Sequence, residues 1–563
     1  MDAYNFDPSL IDVDIDLLTT PADKIKALGP TIQEICNICG VAGVSIGVVQ
    51  RGSVIYSESF GFRDVENRIK GNADTVYYLG SLTKGFTAEA IGILVEEGKL
   101  EWTTPVTNVV PEFFPKDLTI HNQASMVDLL SHRTGLERAD ALWAQSNNNI
   151  LLNREQGLRT INQLRAVTPF RGEYRYNNWG YEIAGRVIEN LTGGSYSDFL
   201  NNKIFKPLGM SRTFNNDSEC HGADNVAKGY MTYDDGTPCP VPRPYMAEGT
   251  LMNPAGGIQS SVNDLLKYYA TLAKSWNDQQ TTGMTNTPGS PLKQLVPLLS
   301  GNIRTVPSLR EQSYAMGWAR AQLPGRLCDT SRNQPLMPQM PVIGQGLVLY
   351  HHGMLVGFTS AVYIFPESLT VVLLLSNSVA INDGPDWIGH LIIQTLCNDP
   401  FRHDYVALAR RTLSPGLSAY DRIEGEFKAE LQNKIPTAQK PLTSYEGDFY
   451  NETRTFFIHI WIKNCNELWM NFQGNQMENY RLKHHNGDEF SWHMTWNEQV
   501  KRGRNPVTYM EYWKIKFTKF FQYGAENNRK AKVLSWALEK DLPGEGVQFA
   551  RRKMGKGFDS LTN

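Results

Sequence analysis

Three short clusters hold residue types that can carry out acyl chemistry together. The first is Ser81-Leu82-Thr83-Lys84, between the lead-in Tyr77-Tyr78-Leu79-Gly80 and a run with helical apolar spacing, Phe86, Ala90, Ile91, Ile93, Leu94 and Val95. A serine hydroxyl is a poor nucleophile until a base removes its proton, and a lysine amine one helical turn away does so once its pKa is depressed. Burial and the positive end of a helix both push that lysine towards its neutral form, and the same helix end favours negative charge on Ser81 Oγ. The second cluster is Tyr176-Asn177-Asn178. A phenol held near a lysine ammonium loses its proton more easily, so Tyr176 is expected to take the serine proton and pass it to a leaving group. Asn178 offers a donor and an acceptor, and is expected to hold Lys84 and a substrate amide in register. The third cluster is His351-His352-Gly353, running into Met354-Leu355-Val356-Gly357-Phe358. An edge strand here presents backbone N–H groups, and the amides of Met354 and Ser81 are the expected oxyanion hole.

No cluster assigns a function alone. Ser290-Pro291-Leu292-Lys293 repeats the Ser-x-x-Lys pattern inside a Gly/Pro/Thr-rich stretch that reads as a loop, and is taken as chance. His132, in Ser131-His132-Arg133-Thr134-Gly135, reads as a structural histidine beside the glycine that ends a helix, not as a triad member. Trp143, Trp318, Tyr350 and Phe358 are expected to line the pocket.

The elements that must position these residues follow from periodicity. Residues 23–40 repeat Ile25, Leu28, Ile32, Ile35 and Ile38 at helical spacing, and two β-rich runs around Gln50-Arg51-Gly52-Ser53 predict a hairpin. The helix carrying Ser81 follows, then a helix over 179–193 ending at Gly193-Gly194 and another capped by Ser261 with Asp264 three residues on. Residues 215–250 and 275–312 read as long loops, and three β-type runs follow 345. One antiparallel sheet assembled from both ends of the domain, with helices between, is the economical fold. Residues 404–441 read as a charged, helix-prone linker, and 442–563 alternate polar and apolar residues as an antiparallel barrel or sandwich does. The expected division is an N-terminal extension at 1–24, a catalytic domain at 25–403, a helical linker at 404–441 and a β-barrel at 442–563 that stabilises or covers the first domain.

A chain of 563 residues exceeds one hydrophobic core, so two or more domains are expected. Lys+Arg 55 against Asp+Glu 58 leaves a net charge of −3 with no basic stripe, which argues against nucleic acid and membrane surfaces as partners. The start is acidic and lacks the basic and apolar regions of a signal peptide, and no apolar run is long enough to span a bilayer. Seven scattered cysteines fit reduced thiols, and Cys36-Asn37-Ile38-Cys39 lacks a second pair to complete a zinc site. A cytoplasmic protein with no cofactor and no metal is the expectation.

With all three clusters in order, the chain resembles the β-lactamase-related serine hydrolases: class C β-lactamases, D-Ala carboxypeptidases, D-aminopeptidases, family VIII-type esterases and fungal acyltransferases. The likeness spans roughly 25–400 and includes Leu129-Leu130-Ser131-His132, Ile204-Phe205-Lys206-Pro207-Leu208-Gly209-Met210, Pro254-Ala255-Gly256-Gly257 and Ala315-Met316-Gly317-Trp318. It implies an α/β (α+β) serine β-lactamase/transpeptidase-like fold, an antiparallel sheet flanked by helices with a helical subdomain. It also implies Ser81 as acyl-enzyme nucleophile, Lys84 as base and Tyr176 as proton shuttle. The tail from 442 resembles the lipocalin-like module of some members. One departure matters: His351-His352-Gly353 stands where β-lactamases have Lys-Thr-Gly. A mostly neutral histidine cannot supply the fixed positive charge that binds a substrate carboxylate, which favours esters, thioesters or uncharged amides. His351, Gly353, Asn178, Trp318 and Phe358 are the expected contacts to a small acyl substrate, free or bound to a carrier. The readings kept open are hydrolysis, acyl transfer or cyclisation with an alcohol or amine, and a non-catalytic binding protein on the same fold.

Overall fold

The computed structural model describes residues 20–552, apart from 217–219, 221, 328–330, 342–345, 398–401, 524–528 and 541–545. Most of the expected N-terminal extension and residues 553–563 of the C-terminal module therefore lie outside the described residues.

The first domain is built on an eight-stranded sheet. Its strands, in chain order, are β1 (Gly43–Gln50), β2 (Ser53–Gly61), β3 (Ile303–Arg304), β4 (Gln312–Tyr314), β5 (Ala319–Gln322), β6 (Leu347–Leu355), β7 (Phe358–Phe365) and β8 (Thr370–Ser376). In space they run β2-β1-β8-β7-β6-β5-β4-β3, every pair antiparallel. Pairing of β1 with β8, Val44 opposite Ser376 through Val49 opposite Val371, joins the two ends of the domain as the sequence predicts.

Both faces of the central strands β1, β7 and β8 are buried, so these read as near-continuous apolar runs with period-two sorting hidden inside them. Leu349, Val362, Ile364, Leu373 and Leu375 point to one layer, which includes the helices Thr83–Glu96 and Val262–Thr282. Val348, Tyr350, Ala361, Tyr363, Val372 and Leu374 point to the other, formed by Gly29–Cys39 and Gly384–Cys397. Tyr350 is thus on the far side of the sheet from Ser81, because it alternates with His351.

Three expectations are corrected by the architecture. The 23–40 helix is two, Pro21–Ala27 and Gly29–Cys39, with Pro30 in the first turn of the second where its missing N–H costs nothing. The 215–250 stretch contains strands Gly229–Thr232 and Pro238–Val241, which add to Ser378–Val379. The 275–312 stretch begins inside the helix Val262–Thr282, which runs on until Gly283 ends it in the left-handed region.

Residues Tyr405–Gln432 form one long helix that buries Tyr405 and Ala409 against the first domain and sets Phe427 5.1 Å from His485 of the barrel. It packs as a strut between the two. Beyond it, eight strands from Gly447–Tyr450 to Val547–Arg551 pair in chain order and close when Phe449 meets Arg551. Side chains fill the barrel: Phe472 stacks on Trp536 at 5.0 Å, and Trp492 lies 4.8 Å from Trp513. The barrel docks on the helical part of the first domain through Ser146 N–H to Glu478 (2.8 Å), buried Arg504 to Gln145, and Thr160 to Thr455 (2.9 Å). Among the described residues, no helix is long and apolar enough to cross a membrane.

Candidate active site

Ser81 lies in a short 3-10 turn, Gly80–Leu82, that leads directly into the helix Thr83–Glu96. The helical register places Lys84 one turn on, with Nζ 3.1 Å from Ser81 Oγ. Lys84 is fully buried and gives its other hydrogen bond to the Ala255 carbonyl at 2.8 Å, from the Pro254-Ala255-Gly256-Gly257 segment. Burial without a carboxylate partner pulls the Lys84 ammonium down to about 7, with Asp140 opposing the shift and Arg138 adding to it. At neutral pH a large fraction of Lys84 is free amine.

Tyr176 arrives from the loop before the helix Trp179–Thr192, and its hydroxyl donates to Ser81 Oγ at 2.6 Å. Burial raises the phenol well above its ordinary range, and the Ser81 hydrogen bond and Arg138 offset only part of that. The expectation that a neighbouring ammonium makes this phenol acidic is therefore reversed: Tyr176 rests protonated beside a lysine that is itself losing charge.

His132 holds this loop. It sits in the left-handed region, with φ 60°, its Nδ1 accepts the Asn177 N–H at 3.0 Å, and its ring lies 4.3 Å from that of Tyr176. Burial keeps it uncharged. It is structural, as expected, yet what it supports is the tyrosine next to Ser81. Asn177 ties the same loop to the carbonyls of Leu136 (3.3 Å) and Glu137 (3.0 Å). Asn178 does not bind Lys84 through any of these contacts; its amide nitrogen donates to Asp140 Oδ1 at 3.1 Å, where Trp143 Nε1 also donates at 3.0 Å.

Strand β6 supplies the third wall. Its neighbour β5 pairs only with Leu347–Tyr350, leaving the edge from His351 onward to face the Ser81 turn. Contact is close because two glycines meet there. A Cβ on Gly353 would stand 2.0 Å from the Leu79 carbonyl oxygen, and one on Gly80 would stand 2.7 Å from the Met354 amide nitrogen. Gly80 also has φ 54°, a conformation that glycine adopts without steric cost. The Ser81 turn and the Met354 amide are thus held in close contact, and the Met354 side chain is 39% exposed.

The remaining expected contacts divide. His351 faces the site side and is 1% exposed, with Nε2 2.9 Å from Tyr314 Oη and Nδ1 2.7 Å from the His352 carbonyl. Burial and the nearby Lys84 lower its pKa to about 3, so it is neutral. His352 points behind the sheet to Asp386 at 3.0 Å. Trp318 lies beneath Gly85 of the Ser81 helix, and Phe358 packs on Tyr78 at 5.4 Å, both in the core rather than at an opening. The second Ser-x-x-Lys does not repeat the geometry: Lys293 Nζ bonds the Ser290 carbonyl at 2.9 Å, and Ser290 Oγ pairs with Ser275.

Among the described residues, one grouping of metal-ligating atoms, Glu430, His485 and Glu489, lies on the barrel side of the molecule. Lys434 and Lys514 already neutralise its carboxylates, at 2.5 and 2.9 Å from Glu430, so it is an ion-pair network and no argument for a cation.

Residues 31–391 match the family model described as Beta-lactamase. A relative named unguisins hydrolase ungD' from Aspergillus campestris is 24% identical over 443 residues, covering 76% of each chain. Another named unguisins hydrolase ungD, from Aspergillus violaceofuscus, is 28% identical over 312 residues, 51% of this chain and 53% of that one. The putative penicillin-binding protein PbpX of Bacillus subtilis is 26% identical over 284 residues, 47% of this chain and 64% of its own. The octameric penicillin-binding protein homologue from Pyrococcus abyssi is similar in fold, with TM-score 0.54 and 22% identity over 94% of this chain and all of that one.

Proposed function

Because the chain belongs to the beta-lactamase family, we propose that it is a serine hydrolase working through an acyl-enzyme on Ser81. Its proposed substrate is a small, fairly apolar molecule with an ester, thioester or uncharged amide bond. The observation that carries this reading is the convergence on Ser81 Oγ of Lys84 Nζ at 3.1 Å and Tyr176 Oη at 2.6 Å.

The assigned steps follow from the protonation states. The Lys84 amine, with its pKa near 7, takes the Ser81 proton as Oγ attacks the carbonyl carbon. The negative charge that forms on the carbonyl oxygen is held by the Ser81 and Met354 N–H groups. Tyr176, kept protonated by burial, is placed to give its proton to the departing oxygen or nitrogen and to recover one from the Lys84 ammonium. Water then repeats the cycle on the acyl-enzyme. Neutral His351 in place of a lysine supports an uncharged substrate, because a buried carboxylate there would lack a compensating cation. The names of the Aspergillus relatives, unguisins hydrolases, favour hydrolysis over acyl transfer.

Acyl transfer to an alcohol or amine uses the same first half-reaction and is the second reading. Stopped-flow release of nitrophenol from an activated ester tests both. A burst equal to the enzyme concentration, absent in Ser81→Ala, supports the acyl-enzyme; acceleration by an added alcohol with formation of a new ester selects transfer. Absence of any Ser81-dependent turnover would leave the non-catalytic binding reading.

A further inference from the structure

Ser81, Lys84, Tyr176 and Met354 all lie inside the segment matched by the family model, yet the loops framing Ser81 are tied to a residue far outside it. Glu539 follows the barrel strand Arg529–Trp536, and its side chain is 11% exposed. One carboxylate oxygen accepts the Ala139 N–H at 2.7 Å, and the other accepts the Arg175 guanidinium. These partners belong to two different loops of the first domain.

Both loops bear on the Ser81 site. Arg175 immediately precedes Tyr176. Ala139 has φ 45°, a left-handed conformation that strains a residue with a Cβ and persists only where neighbours hold it. On either side of Ala139 are Arg138, whose guanidinium lies 5.6 Å from the Tyr176 ring centre, and Asp140, which pairs with Arg138 at 3.0 Å. Arg138 and Asp140 pull the basicity of Lys84 in opposite directions, so their placement matters to the base. Asp140 also anchors Asn178 and Trp143.

We propose that Glu539 is a positioning residue of the active site: the barrel supplies a carboxylate that pins the Arg138–Asp140 turn to the Arg175–Tyr176 loop. The barrel is then part of the catalytic apparatus rather than a separate stabilising module. The inference rests on the reading of Ser81, Lys84 and Tyr176 as acyl-transfer machinery.

The test compares full-length wild type with Glu539→Ala, Arg175→Ala, the double variant, and Glu452→Gln. The last removes a peripheral interface pair, Glu452 with Lys116, and serves as a control for docking. Each protein is titrated with a fluorophosphonate, and kcat and KM for an activated ester are expressed per titrated Ser81. This normalisation removes any loss through misfolding. Expected are at least a tenfold fall in kcat for Glu539→Ala with KM within threefold, a similar fall for Arg175→Ala, and no further fall in the double variant. Glu452→Gln should match wild type. If Glu539→Ala does not fold, Glu539→Gln keeps an acceptor for Ala139 while removing the charge facing Arg175, and at least a threefold fall in kcat is expected. Wild-type kcat per titrated site in whichever Glu539 variant folds, or independent multiplied losses in the double variant, would overturn the proposal. Failure of wild type itself to be labelled at Ser81 would instead remove the premise.

Discussion

Tyr176 Oη and Ser81 Oγ, ninety-five positions apart in the chain, lie 2.6 Å from each other, with the phenol as donor. Burial decides the division of labour between Tyr176 and Lys84. A buried phenol with a raised pKa is an acid in waiting, whereas Lys84, buried with carbonyl and hydroxyl partners, is the group short of its proton. The sequence argument gave base character to both; burial separates them.

Tyr176→Phe should therefore leave nucleophile and base in place and remove the acid. Loss of general acid help is typically worth about 10²–10⁴ in rate. The fall should be larger for a poor leaving group such as an alkyl alcohol or amine than for nitrophenol, which departs without a proton. Equal falls for both leaving groups would show that Tyr176 is not the acid.

The pH profile should report Lys84. Its depressed pKa means that the useful neutral form appears as pH rises through about 7, so kcat/KM should climb to a plateau with an acid-limb midpoint near that value. An ordinary lysine would place the midpoint near its usual value of about 10.4. A measured midpoint in that range would mean that Lys84 is solvated and unsuited to the role.

Gly80→Ala probes the space between the two amides. The new Cβ would stand 2.7 Å from the Met354 nitrogen on a backbone with φ 54°, so the Ser81 turn and β6 must part. Removing one oxyanion donor elsewhere costs about 10²–10³ in kcat, and a loss of that size is expected, measured per titratable serine. Wild-type kcat in this variant would show that the Met354 amide takes no part.

His351→Lys tests the substrate reading. His351 stays neutral because it is buried beside Lys84, and the replacement supplies an amine whose charged form a bound carboxylate would stabilise. Selectivity for a carboxylate-bearing ester over its neutral analogue, measured as the ratio of kcat/KM values, should rise by at least tenfold. Unchanged selectivity would mean that acyl-group charge is read elsewhere.

Much of the frame was legible because it is written locally. The hairpin Gly43–Gly61, the helix after Ser81, the Ser261 cap and the strands after 345 each follow from spacing within a dozen residues. The alternation beyond 442 likewise anticipated a barrel, and the structure closes it. What escaped was set by contacts between distant segments. Nothing in Asn178 announces that it turns to Asp140, nor in Trp318 that it fills the floor beneath Gly85. His132 reads from sequence as structural, but that it supports the Tyr176 loop required the fold. Glu539 carried none, lying in a segment whose only visible pattern was barrel alternation.

The central claim is a covalent bond between substrate acyl carbon and Ser81 Oγ, and peptide mapping by mass spectrometry after brief exposure to an activated ester addresses it most directly. The account predicts one acyl group per chain, on the peptide containing Ser81, formed faster as pH rises through about 7 and absent in Ser81→Ala and Lys84→Ala. An adduct confined to Ser290, or one that forms equally well without Lys84, would contradict it.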